Sequence, residues 1–421
     1  MAFDTAVSGL KAASTNLGII GNNVANSGTS GFKSSSAEFG DVFATSLVGS
    51  NANGIGQGVA LSSVNQSFAQ GNISFTENAM DMAINGDGFF TLNDNGSRLF
   101  TRSGAFEVDR DGYVVNAAGH RLVSFVTDNA GVASGQTTDL RIDASLIQPS
   151  GTSQADMLFN LDSRAVPPAT AWGGPYDAFA AIPTAPSPDM YNASSALTIY
   201  DSLGNPHVQS QFLVKTAVAN QWQVHTMIDG VTTSGPDLLN FDTSGQIPTA
   251  ALPAQYNIAG WTPLDALGNP NGAAVQNVTL DLSGTTQFGS DFAVNSAVQD
   301  GYSTGQLRSV EVGDSGVVFA RFTNGQSRAL GQVALTSFPN AGGLQPLGNT
   351  AWAETFASGQ PTLGAPGSSG LGIVQSGALE DSNVEVTEQL VNMIVAQRDF
   401  QANAQVIQTE DAITQTVINL R

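Results

Sequence analysis

Apolar and polar residues follow one rule at the two ends of this chain and another between them. At the front, Phe3, Leu10, Leu17 and Val24 fall at heptad spacing with Val7 between them, and Ala6, Ala13 and Ile20 run alongside. That is the period of an amphipathic helix. At the back, the stretch from Ala378 to Arg421 has neither Gly nor Pro, although the chain carries 46 Gly in all. It opens with Ser382-Asn383-Val384-Glu385, a capping-box pattern in which Ser and Glu would each satisfy one orphan backbone donor. Beyond it Val391, Ala402 and Ile413 recur at every eleventh position, and Val395, Val406 and Val417 form a second line beside them, with Ile394 on the same stripe. The spacing predicts one continuous helix over 383–420.

The front helix is weakened by Gly9, Gly18 and Gly21, each costing ~1 kcal/mol relative to Ala. Its stripe alone releases less than the ordering of its backbone costs, so it needs the back helix, other subunits, or both. Small residues at positions 6, 9, 13, 18 and 21 would also let helices approach closely.

Between the ends, Gly, Pro, Asn, Asp and Ser punctuate short runs of Val, Phe, Leu and Thr, which is the pattern of β-structure. Hairpins are expected where Asp94-Asn95-Gly96 separates Phe89–Leu92 from Arg98–Phe100, and where Asp109-Arg110-Asp111-Gly112 separates Ala105–Val108 from Tyr113–Val115. Prolines at 149, 167, 168, 175, 183 and 186 mark the entry to a separate module, which includes Ala196–Asp201 and Gln211–Lys215 and ends near Thr286. Hairpin-like runs from Val310 to Phe338 then resume the earlier style. The predicted fold is mainly β with long terminal α-helices that pair as a coiled coil, and with nested β domains between them. The expected boundaries are a terminal helix at 1–32, a connector at 33–75, a discontinuous β domain at 76–150 plus 286–365, an inserted β domain at 151–285, and a second terminal helix at 366–421.

Composition narrows the chemistry. The net charge of −21 comes from scarce bases, since only 12% of residues are charged and Lys occurs only at Lys11, Lys33 and Lys215. That balance argues against nucleic acid and anionic membrane as partners. No apolar run is long enough to span a bilayer, and the front lacks the features of a cleaved signal peptide. Cysteine is absent, which excludes disulfides and thiolate chemistry. Asp109-x-Asp111-Gly112 resembles half of a calcium loop, but the closing position holds His120, so a turn is expected. Gly54, Gly56 and Gly58 lack the third glycine of a dinucleotide fingerprint and read as a connector. Gly313-Asp314-Ser315-Gly316 reads as a turn before a strand rather than a nucleophile. His120, His207 and His225 form no ligand pair at helical spacing. No catalytic, cofactor or metal residue is predicted, and an enzyme is not expected.

Three motifs in order resemble those of the flagellar hook proteins, within the rod–hook family of axial proteins, over nearly the whole chain. The first is Asn22-Asn23-Val24-Ala25-Asn26-Ser27 running to Gly31-Phe32-Lys33. The second is Ile84-Asn85-Gly86-Asp87-Gly88-Phe89-Phe90 followed by Phe100-Thr101-Arg102-Ser103-Gly104. The third is Glu380, Ser382 and Asn383 with Met393-Ile394-Val395-Ala396-Gln397-Arg398. The size of the middle module and the segment Thr198–His207 resemble a hook protein rather than the shorter distal rod protein. The resemblance implies a curved helical homopolymer in the hook of the bacterial flagellum, outside the cell, that joins motor to filament and passes torque. It also implies type III export without a cleaved signal and contacts with distal rod, hook cap, hook–filament junction and export proteins. Another axial protein, such as a distal rod or junction subunit, is the alternative.

Overall fold

The computed structural model describes residues 2–42 and 56–419. Part of the connector read at 51–58 therefore lies outside the described residues. Helix α1 spans Ala2–Ala25 and helix α2 spans Val386–Asn419. At 34 residues, α2 is about 50 Å long. It starts three positions later than the sequence suggests. The Ser382 hydroxyl accepts from the Val384 N–H rather than from that of Glu385, so the reciprocal capping box does not form. Along its distal part, Thr409, Thr414 and Thr416 each donate their hydroxyl to the carbonyl four residues back. No described helix is long and apolar enough to cross a membrane.

The chain divides into two units, residues 1–144 with 308–321 and 327–421, and residues 145–307 with 322–326. The first contains the helices and a 13-stranded sheet in which Arg121–Thr127, Phe89–Asp94 and Ser97–Thr101 lie side by side. The hairpin at Asn95-Gly96 forms as its sequence suggests, with both residues at positive φ, the backbone twist that a two-residue hairpin requires. Edge-on aromatics fill this unit: Phe89 packs against Phe68, Phe338 and Trp352, and Phe90 stands edge-on to Phe106 at 5.3 Å. The expected connector contains strands Ser35–Asp41 and Val59–Gln66, paired as a hairpin, and Ile73–Phe75. The expected C-terminal helical segment likewise opens with two short strands, Ile373–Ser376 and Ala378–Glu380, which return to pair with Met82–Asn85 and Ile73–Phe75.

The second unit is a sandwich. One sheet is a four-stranded meander of Ala193–Tyr200, Pro206–Lys215, Gln221–Ile228 and Val231–Asn240. The other centres on Gln154–Asp162, which pairs parallel with Gln276–Asp281 and Thr286–Phe288 and antiparallel with Ala293–Gln299. Met157, Phe159 and Leu161 from one sheet and Leu213, Trp222 and Val224 from the other share one core. The boundary near Thr286 is therefore misplaced. Strands after it still complete the sandwich, and the chain leaves this unit near residue 307. The sequence cue failed because Thr286–Phe288 has only three residues and the apolar positions of Ala293–Gln299, Val294 and Val298, are exposed, so neither strand reads as part of the preceding core.

Candidate functional site

The helix pair is the first element of the site. Helices α1 and α2 pack on each other, but not through the stripe of largest residues. The buried positions of α1 are Ala6, Ala13, Ile20 and Asn23, whereas Val7, Leu10, Leu17 and Val24 are half-buried and Phe3 is exposed. On α2 the covered positions are Gln389, Met393, Ala396, Phe400, Asn403, Ile407 and Glu410, at alternating steps of four and three, with Ala404 beside them. That is a two-stranded seam built on small residues. Gly9 belongs to it, since a Cβ there would sit 2.6 Å from Oδ1 of Asn403. Gly18 and Gly21 face open space. The seam covers Met393, Phe400 and Ile407 in part but leaves a second set of large apolar residues of α2 in the open: Val391 is 56% exposed and Ile394 66%, and Leu390, Val395, Val406 and Ile413 are exposed as well. The Val417 side chain lies outside the described residues.

The second element roots this pair in the β-structure of the same unit. Asn23 is buried and donates to the Ser35 carbonyl at 2.8 Å and to Oε1 of Gln389 at 3.1 Å, while its Oδ1 accepts from the Ser35 N–H. One side chain thus ties α1, α2 and the following strand. Asn383 does the same from the other end, accepting from the Ser34 N–H and donating to the carbonyls of Ser67 and Ala69. Between them lies a buried ionic cluster. Lys33 Nζ is 2.6 Å from Oε1 of Glu380, and an Arg102 guanidinium nitrogen is 3.3 Å from Oε2. Burial holds the Lys33 pKa below its ordinary value; the Glu380 charge and hydrogen bond work against that shift, and Arg102 adds to it.

The remaining motif residues are placed as follows. Asn22 and Asn26 line a cleft of about 600 Å³ with Gln66, Asn116 and Trp352, and the Asn22 carbonyl accepts from both nitrogens of Asn26. Gly86, Asp87 and Gly88 form the turn before Phe89, and the Asp87 carbonyl accepts from the Gly372 N–H at 2.7 Å. Phe89 and Phe90 are core residues. Gln397 and Arg398 are exposed on α2, away from the joint. The sequence named Lys33, Arg102 and Glu380 inside separate motifs but did not bring them together. The usable signal was the scarcity of bases: of the chain's 14 Lys and Arg, three stand in the motifs, at Lys33, Arg102 and Arg398, and the first two meet at Glu380.

Elsewhere the structure gives turns where turns are expected. Asp109 Oδ1 accepts from the N–H groups of Asp111 and Tyr113. Gly313–Gly316 closes a hairpin. The His120 N–H donates to Asn116 Oδ1. In the sandwich unit, His207 lies between Asp229 at 2.6 Å and Asp201 at 3.3 Å, a cluster the sequence does not announce. Burial alone would lower the His207 pKa, but the bonds to both carboxylates outweigh it and raise it. His225 stacks on Trp172 at 4.2 Å, and burial pushes its pKa down to about 4.

These two histidines predict opposite pH limbs. His225 binds fewer protons folded than unfolded, so stability is lost as pH falls from the ordinary histidine value towards about 4, by up to ~3 kcal/mol. His207 binds more protons when folded, so its contribution is full below the ordinary value and is lost as pH rises through its raised pKa. Three of the four Trp, at 172, 222 and 261, lie in this unit, so tryptophan fluorescence in a Trp352→Phe background reads it. Melting temperature should peak between the limbs. His225→Phe should flatten the acid limb and His207→Gln the alkaline one; a profile unchanged by both substitutions would contradict the assignment.

Comparison with known proteins covers almost the whole chain. Family models match at residues 3–33 (flagella basal body rod protein), 83–148 (flagellar hook protein FlgE/F/G D1 domain), 160–302 (flagellar basal body protein FlaE D2 domain) and 375–420 (flagellar basal body rod FlgEFG protein C-terminal). The flagellar hook protein FlgE of Escherichia coli K12 is 38% identical, over 100% of both chains. The FlgE of Salmonella typhimurium is 37% identical over 100% of both, and that of Borreliella burgdorferi 32% identical over 99% of this chain and 98% of its own. The crystal structure of Helicobacter pylori flagellar hook protein FlgE2 matches in fold, with a TM-score of 0.51 at 15% identity, over 73% of this chain and 100% of that one. Full-length identity at this level, with hook and rod models falling on the helix pair, its root and both β regions, places this chain in the flagellar hook protein family.

Proposed function

We propose that this hook subunit polymerises through its helix pair into a curved tube that acts as a flexible joint and carries torque from rod to filament. The observation that carries the reading is the line of Leu390, Val391, Ile394, Val395, Val406 and Ile413, exposed on α2 although the pair has already formed its own seam. These residues form an apolar cluster at 390–395 and further apolar positions at 406 and 413, with the exposed Arg398 between them, and exposed apolar clusters of this kind mark an interaction surface. A second copy of the chain is its natural cover, because a head-to-tail contact that does not close generates a helical polymer. Distal rod, hook cap, junction and export proteins are the further partners proposed, and the extracellular hook the proposed site of action. Electron microscopy of purified protein under polymerising conditions tests the reading. Curved, bendable tubes support it, straight rigid ones favour a rod protein, and the absence of any polymer overturns it.

The seam itself predicts a weak pair in the free subunit. Its buried members are mostly Ala, and Ile20 is the one large apolar side chain among the buried positions of α1. Burying Ile20 contributes only ~1.5–3 kcal/mol. Brief proteolysis of the monomer should therefore cut within α1 and α2 before either β region, trimming roughly 30 residues from the front and 40 from the back. Equal resistance of helices and β-structure in a verified monomer would refute this.

A further inference from the structure

Glu380 is completely buried, and three other chain segments meet on it. Its Oε1 accepts from Lys33 Nζ at 2.6 Å and from the Gly71 N–H at 2.9 Å, its Oε2 faces Arg102 at 3.3 Å, and its carbonyl accepts from the Gly31 N–H at 2.7 Å. Lys33 also donates to the Ala69 carbonyl at 2.8 Å. The meeting has no slack. Gly31 is at φ +70 and a Cβ there would lie 2.4 Å from the Ser103 nitrogen; a Cβ on Gly71 would lie 2.0 Å from the Asp381 carbonyl oxygen. Charge is unbalanced, with two buried cations against one carboxylate. The adjacent Asp381 carboxylate is turned to the Ser74 hydroxyl instead. Removing Glu380 would leave two desolvated cations facing each other, a far larger cost than the pair's net contribution. Helix α2 begins at Val386, six positions further on, so the direction in which it leaves the β-structure is set here.

We propose that Glu380 is the positioning residue of the axial helix pair: as the one counter-charge of Lys33 and Arg102 among the described residues, it fixes the root of α2, and so governs polymerisation without lying on the surface that polymerises. This rests on the polymerising reading above. No atom of the exposed apolar stripe changes when Glu380 is altered, so a loss of assembly would report placement rather than contact.

The test uses the full chain with Glu380→Gln, the double variant Lys33→Met/Glu380→Gln, and the unaltered chain at each pH. At pH 7, Glu380→Gln should lower the melting of the helix-bearing unit by on the order of 10 °C. It should also cut tube formation at least tenfold below that melting point. The sign of the pH response follows from Lys33. Its folded pKa is already below its ordinary value, and without Glu380 it falls further, so the variant binds fewer protons folded than unfolded and gains stability as pH rises towards about 10.5. Both defects, relative to the unaltered chain, should therefore shrink together on raising pH. The double variant, in which Lys33 is no longer left uncompensated, should recover most of the melting and part of the assembly, and it keeps the test decisive if Glu380→Gln does not fold. Normal tubes from Glu380→Gln, a defect that does not narrow with pH, or a double variant as defective as the single one would each overturn the proposal. Failure of the unaltered chain to form tubes would count against the hook reading instead.

Discussion

Ile394→Asp should abolish tube assembly while the melting of both β regions stays within about 1 °C of the unaltered chain. Ile394 is 66% exposed in the single subunit, so a carboxylate there remains in water and costs the monomer little. In the proposed polymer the same position would be covered by a neighbour, and an unpaired carboxylate at a dry interface would cost several kcal/mol at every subunit. A small monomer effect and a large polymer effect are the signature of a residue buried only on assembly. Val391→Asp should behave alike, since Val391 is 56% exposed. Leu10→Asp should give a mixed result, because Leu10 is already half-buried. Pelleting and electron microscopy read assembly, and calorimetry reads the β regions. Early melting of Ile394→Asp would show that the stripe already packs within the monomer.

Excising residues 148–304 should remove the sandwich and leave tubes. The chain enters and leaves the sandwich unit through an antiparallel bridge, with the Ile147 N–H donating to the Gly305 carbonyl at 2.9 Å. Bridged residues lie ~5 Å apart, so two or three Gly/Ser residues rejoin the chain without strain. The sandwich has its own core, from Met157 to Leu282, and the other unit keeps its Phe89–Trp352 cluster and its ionic joint. The shortened chain should fold, polymerise through α2 and retain the Glu380 dependence. An insoluble product would show that the sandwich is needed to fold the rest. A folded product that stays monomeric would move assembly contacts into the sandwich.

Helix content was legible at both ends because period and glycine content leave few alternatives. The contact face of the pair was not. Hydrophobic size pointed to Phe3, Leu10, Leu17 and Val24, whereas the seam uses Ala6, Ala13 and Ile20, because α2 can approach α1 only where side chains are small. A helix that has two partners, one inside its own chain and one outside, carries two apolar lines, and sequence alone does not say which belongs to which. The joint was half legible. Asn23, Glu380 and Asn383 stand in motifs, but their partners are 12 to 366 positions away in sequence, at Ser35, Lys33, Ser67 and Gln389. Local pattern carries no information about such pairings. The missed boundary has the same origin, since Thr286–Phe288 and Ala293–Gln299 gain their place only by pairing with Gln154–Asp162.

The three threonine hydroxyls near the end of α2 give that helix a graded stiffness. The carbonyls of Gln405, Glu410 and Ala412 each accept a side-chain hydroxyl from the following turn. Such sharing weakens the backbone ladder and lets a helix curve at little cost. The near part of α2 is held by Asn23 and by the covered positions around Ala396, while residues 411–416 and Ile418 are exposed. A load passing along this helix thus meets a clamped shank and then a yielding tip. In a structure that must be bent afresh at each revolution, strain would gather in the cheap turns at the tip and spare the costly charges at the root.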